Sequence, residues 1–89
     1  MRHFALIFLV LNIVLAQQTS AQNRNRIRIA DKEYSRMRYF NATKLYEKIL
    51  NTDSSNLPVS IKLADCYYKL ADLRNAERLY KKVTMAGYK

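Results

Sequence analysis

The chain repeats itself. Residue 57 onward answers residue 23 onward, at an offset of about 34 residues that belongs to stacked supersecondary units. Laying residues 23–55 on residues 57–89 gives nine identities in 33 pairs. They are Ile27/Ile61, Ala30/Ala64, Asp31/Asp65, Tyr34/Tyr68, Asn41/Asn75, Ala42/Ala76, Leu45/Leu79, Tyr46/Tyr80 and Lys48/Lys82. Chance pairing gives about two at ordinary residue frequencies. Arg28/Lys62, Ile29/Leu63, Lys44/Arg78 and Ile49/Val83 are conservative pairs in the same register. A unit this short cannot enclose its own apolar face, so each must bury it against a neighbour.

The apolar residues inside each unit keep a helical period. Ile27, Ala30, Tyr34 and Met37 form one stripe, and Ala42, Leu45, Tyr46, Ile49 and Leu50 the next. Ile61, Ala64, Tyr67, Tyr68 and Ala71 form a third, and Ala76, Leu79, Tyr80 and Val83 a fourth. Such spacing marks one buried face of an amphipathic helix. Residues 51–56, Asn-Thr-Asp-Ser-Ser-Asn, break the pattern between units. Asn56 and Asp72 stand where N-caps are needed, Pro58 falls in a first turn, and Gly87 follows the last stripe. The expectation is an all-α chain of four helices, near 24–37, 39–51, 57–71 and 73–86, in two antiparallel hairpins. Repeat 1 covers about 23–56 and repeat 2 about 57–89. One Gly and one Pro are too few for the turns of an all-β fold.

The segment before the repeats reads differently. Arg2 and His3 precede an apolar, uncharged run from Phe4 to Ala16, broken only by Asn12. As a helix this run spans about 20 Å, short of the ~30 Å hydrocarbon core. Thr19 and Ala21 form the small-residue pair of a secretory cleavage site. Residues 1–21 are therefore expected to be a cleavable signal peptide, with Ala16 as the second-choice site, and 22–89 the mature domain. No transmembrane helix remains after that cut. With Arg2 gone, 15 Lys and Arg face 7 acidic residues. An exported chain does not meet genomic DNA, so the excess points to an anionic surface or acidic protein, not nucleic acid.

The second unit reads Ser60-Ile61-Lys62-Leu63-Ala64-Asp65-Cys66-Tyr67, and later Ala76-Glu77-Arg78-Leu79-Tyr80. This resembles the tetratricopeptide repeat at Leu63, Tyr67, Ala76 and Tyr80, with Ala64 at the small position. The first unit matches at Ile29, Ala30, Ala42 and Tyr46, with Glu33 in the Tyr slot. Both units lack the Trp and the closing Pro of that pattern, where Ser54 and Tyr88 stand. The resemblance implies two helical hairpins of an α-solenoid, with the first helix of each lining a concave groove. Residues 30–34, 39–48 and 63–68 further resemble the N-terminal repeats of exported Bacteroidetes envelope proteins. Those carry a β-propeller and an OmpA-like domain, and some serve type nine secretion. Neither later domain is present here, which implies a truncated or partial product.

On that arrangement Asp31, Tyr34, Asp65 and Tyr68 recur once per repeat along the groove, where they could hold an extended basic or polar peptide. The plainer alternative has both Asp residues in solvent and both Tyr residues filling space between repeats. Arg24, Arg28, Lys32 and Arg36 fall every four residues and form a basic stripe on the first helix. Cys66 sits on an apolar face, and a lone Cys there is a small buried hydrophobe. The only His is His3, inside the segment expected to be removed, so no base is at hand for nucleophilic catalysis. No catalytic, metal or cofactor site is expected. The expected function is a non-catalytic protein-interaction scaffold, periplasmic or outer-membrane-associated, with a protein or peptide partner in the envelope. The alternative is a small exported basic domain on an anionic envelope surface. With no third unit, Leu79, Val83 and Met85 are expected to stay partly uncovered, leaving either self-association end to end or a weakly cooperative fold.

Overall fold

The computed structural model describes the backbone of residues 2–87 and the side chains of Ile7 and of residues 20–87. Tyr88, Lys89 and, Ile7 apart, the side chains of the apolar run lie outside the described residues. Four helices follow one another: α1 (Arg2–Ser35), α2 (Tyr39–Thr52), α3 (Leu57–Lys69) and α4 (Leu73–Met85). No strand occurs among the described residues. Short connections reverse the chain each time, and α1 packs on α2, α2 on α3, and α3 on α4.

α1 begins well before residue 24 and runs without a break through the expected cleavage site, where Ser20, Ala21 and Gln22 are exposed. Its contact with α2 is fastened at Asn23. The Asn23 amide donates to Thr52 Oγ1 at 3.0 Å, and the Thr52 hydroxyl lies 3.2 Å from Asn23 Oδ1.

The ends of α1 and α3 correct the sequence reading. Each helix stops short of the expected boundary, at Ser35 and Lys69 in place of Met37 and Ala71. Met37 and Ala71 then adopt left-handed backbone, with φ of 61° and 62°. Met37 N–H donates to the Tyr34 carbonyl and Arg38 N–H to that of Glu33, both at 2.9 Å. Ala71 N–H to Tyr68 and Asp72 N–H to Tyr67, at 3.0 and 2.8 Å, repeat that pair in the second unit. Paired bonds of this kind satisfy the last carbonyls of a helix and turn the chain sharply. Met37 and Ala71 therefore leave the apolar stripes and stand exposed.

The expected caps form. Asn56 accepts from Val59 N–H at 3.2 Å, with Pro58 in the first turn of α3. Asp72 accepts from Asn75 N–H at 3.4 Å at the start of α4. Gly87 follows α4 with φ of 81°. α2 has Arg38 at its N-cap position, with no side-chain cap bond.

The core runs through all four helices: Ala30, Ala42, Tyr46, Ile49, Val59, Leu63, Ala64, Cys66 and Leu79. Ala30, Ala42 and Ala64 are fully buried, and their short side chains let the helix axes approach closely. The buried hydroxyls of Thr43 and Ser60 donate to carbonyls one turn back, Tyr39 at 2.8 Å and Asn56 at 3.0 Å. Leu79 and Val83, expected to be partly uncovered, are only 3% and 5% exposed, because both point into the α3–α4 hairpin. Met85, at 87%, is uncovered as expected. Tyr46 and Tyr80 do not fill space alike. Tyr46 is 1% exposed beneath α3, whereas Tyr80 is 37% exposed because no described helix lies over it.

Candidate functional site

The turn after α1 and the close α1–α2 crossing fix where the first helix of each unit faces its partner. Asp31 lies on α1 opposite Tyr46 of α2, and the Tyr46 hydroxyl donates to Asp31 Oδ1 at 2.5 Å. Asp65 on α3 stands the same way to α4, accepting from the Tyr80 hydroxyl. Both pairs have the same separation along the chain, and each member recurs at the repeat offset. A buried phenol needs a partner for its O–H, and the carboxylate supplies it without giving up its whole hydration.

The two carboxylates differ in what else they meet. Lys62 Nζ sits 3.0 Å from both oxygens of Asp31, joining α3 to α1. Among the described residues no cation sits on Asp65. The face therefore carries one offset and one free negative charge.

Asp31, Tyr34 and Asp65 come together with Tyr46 and Lys62 around an open cavity of about 250 Å³. Tyr68, the fourth residue placed on the groove, is 61% exposed and lines a different depression of about 480 Å³ with Leu73, Ala76, Tyr80 and Met85. The Tyr34 ring is held edge-on to Tyr39, centroids 5.3 Å apart, so it is fixed at the cavity wall. Burial, and then the charge of Asp65, raises the Tyr34 pKa. Tyr46 is raised much further, by burial first and then by Asp31. Tyr80 is pushed up to about 12 by burial and by its bond to Asp65. All three phenols stay protonated at neutral pH, and those of Tyr46 and Tyr80 donate to Asp31 and Asp65. The cavity thus offers the Tyr34 hydroxyl, an aromatic wall and the Asp65 carboxylate beside the Lys62–Asp31 pair, a set suited to a basic or polar segment.

The basic stripe faces solvent. Arg24, Arg28, Lys32 and Arg36 are all exposed, and none pairs with a carboxylate among the described residues. Arg28 reaches only Asn25 Oδ1, at 2.5 Å.

Cys66 is fully buried in the core. Burial pushes its thiol up to about 11, against a smaller downward pull from Thr43, so it stays protonated and poorly nucleophilic. No metal-holding cluster of His, Cys, Asp or Glu occurs among the described residues. No helix among them is long and apolar enough to cross a membrane.

The repeat pattern places the carboxylates but does not assign Tyr46, Tyr80 and Lys62 as their partners. The signal was present: an Asp and a Tyr keep one separation in both units, Asp31 to Tyr46 and Asp65 to Tyr80. Lys62 carried only a weak signal, its pairing with Arg28 across the repeat. Two further ties were not legible, the Tyr67 hydroxyl on Glu47, because Glu33 stands at the position of Tyr67, and Lys82 Nζ on the Ser54 carbonyl at 2.8 Å, because the Lys48/Lys82 identity names no acceptor. No family model, curated protein or solved structure matches the chain.

Proposed function

We propose that this chain is an exported, non-catalytic interaction module of the tetratricopeptide type, two helical hairpins of an envelope scaffold. Its cavity at Asp31, Tyr34 and Asp65 takes an extended basic or polar peptide from a protein partner. The observation that carries this reading is the twice-built Tyr-to-Asp bond, from Tyr46 and Tyr80 to Asp31 and Asp65. It makes the two hairpins copies in geometry as well as in spelling, and it sets the same carboxylate on the same face each time. The resemblance to Bacteroidetes OmpA-family-like and type nine secretion proteins supplies the proposed setting, periplasmic or outer-membrane-associated.

Calorimetry with a panel of extended Lys- and Arg-containing peptides tests the cavity. Tyr34→Ala and Asp65→Asn are expected to weaken binding about fivefold or more, while Arg28→Ala and Lys32→Ala leave it unchanged. Equal binding by all four variants would remove the cavity from the proposal. Export is checked separately. After expression with residues 1–21 in place, N-terminal sequencing of the periplasmic product should read from Gln22.

The unpaired, exposed stripe of Arg24, Arg28, Lys32 and Arg36 favours a second reading, attachment to an anionic envelope surface. Co-sedimentation with phosphatidylglycerol vesicles discriminates. Binding through the stripe must fall steeply between low and physiological salt and be weakened by Arg28→Ala and Lys32→Ala, which leave binding in the cavity unchanged.

A further inference from the structure

The second hairpin repeats the first except for what lies over it. On the first hairpin, α3 packs against α2, sets Lys62 on Asp31 and lays fully buried Cys66 beside Thr43. The residues one period further on present the corresponding face of the second hairpin. Tyr68, Ala76 and Tyr80 repeat Tyr34, Ala42 and Tyr46, and Asp65 repeats Asp31. That face is open. Leu73 is 60% exposed beside it, and Tyr68, Leu73, Ala76, Tyr80 and Met85 border the depression of about 480 Å³. Exposed large apolar residues gathered in one patch mark a surface that binds.

We infer that this end face is the docking site for one amphipathic helix of a partner, seated as α3 is seated on the first hairpin and bringing a Lys or Arg to Asp65. The charge argument selects the occupant. Asp31 meets both a tyrosine hydroxyl and a lysine, while among the described residues Asp65 meets only Tyr80. The helix that completes the second site must be apolar and small-residued along one stripe, with a cation at the register of Lys62. A second copy of this chain does not fit in that way. Its α1 would set Arg28 at the register of Lys62 but Lys32 at that of Cys66, which is enclosed on the first hairpin. An ammonium forced into that position without a partner is disfavoured. This inference shares Asp65 with the cavity at Tyr34, and the variants that separate the two are Leu73→Lys and Tyr34→Ala.

The probe is a synthetic peptide of residues 56–70 with Cys66→Ala, titrated into the full chain. Saturable binding is expected, with NMR shift changes gathered at Leu73, Tyr80 and Met85. Leu73→Lys in the chain should abolish it, and Tyr34→Ala should leave it intact. Asp65→Asn in the chain and Lys62→Met in the peptide should each weaken binding about fivefold, and the two together no more than either alone. Absence of saturable binding, or equal affinity for the Asp65→Asn chain, would overturn the proposal. So would a dimer of the chain alone that Leu73→Lys disperses, since the face would then belong to a second copy.

Discussion

Met37 and Ala71 close their helices in a conformation that glycine holds without strain and L side chains resist. Both are exposed, so neither side chain contributes packing that would compensate. Ala71→Gly is expected to raise stability by about 0.5–1 kcal/mol, the left-handed penalty less the extra freedom of glycine in the unfolded chain. Chemical denaturation measures it, and a loss of stability would mean that the turn at Ala71 is not left-handed. The tyrosines make a second prediction at this scale. Tyr67 and Tyr80 are each raised to about 12 in the fold by burial and by bonds to Glu47 and Asp65. A phenol raised in this way stabilises the fold fully below its unfolded pKa near 10 and stops doing so as pH climbs through its folded value. Stability should therefore fall between pH 10 and pH 12. Ultraviolet titration of the phenolates should show Tyr80→Phe removing one late-ionising group, with less stability lost across that window. Titration of every tyrosine near 10 would contradict the two hydrogen bonds.

The helices meet at alanines, and the two crossings are not equally closed. Ala42 is fully enclosed by the central core, while Ala76 borders the open depression. Ala42→Leu should cost about 1–3 kcal/mol from overpacking, and Ala76→Leu less, since its added carbons can lean into the depression. Lys44→Ala, which removes an exposed side chain lying 4.5 Å over the Phe40 ring, should change stability by less than about 0.5 kcal/mol. Thermal melts of the three variants check the order. The existence and order of the helices were legible because apolar spacing and the caps at Asn56 and Asp72 are local signals. The stripes misled at Met37 and Ala71, since an apolar residue in phase is indistinguishable from one that has just left the helix. Nothing local signals a left-handed residue when it is not glycine. The carboxylates of the candidate site were legible from the repeat. Their partners were not, because a Tyr at a core position reads as packing until its hydroxyl is placed.

At the scale of the molecule, the hairpins form a stack with unlike ends. The α1 side is charged and solvated, with Ile29 42% exposed between Arg28 and Ala30. The α4 side, uncovered by any described residue, sets exposed Leu73, Tyr80 and Met85 beside the Glu77–Lys81 ion pair. A core of this size supplies only about 3–5 kcal/mol, so the open end should leave the chain weakly cooperative. Appending a second copy of residues 56–87 after Lys89 should sharpen the thermal transition, because the added first helix covers Tyr80 as α3 covers Tyr46. A transition already as sharp without the extension would show that the open end carries no such cost. The seam between the two hairpins has its own reporter in Cys66, the only thiol of the chain. It is fully enclosed, and a disulfide reagent can reach it only when that seam parts. With reagent slow relative to reclosing, the labelling rate reads the population of open molecules. One native residue thus lets the separation of neighbouring repeats be measured apart from the fraying of the ends, with no substitution introduced.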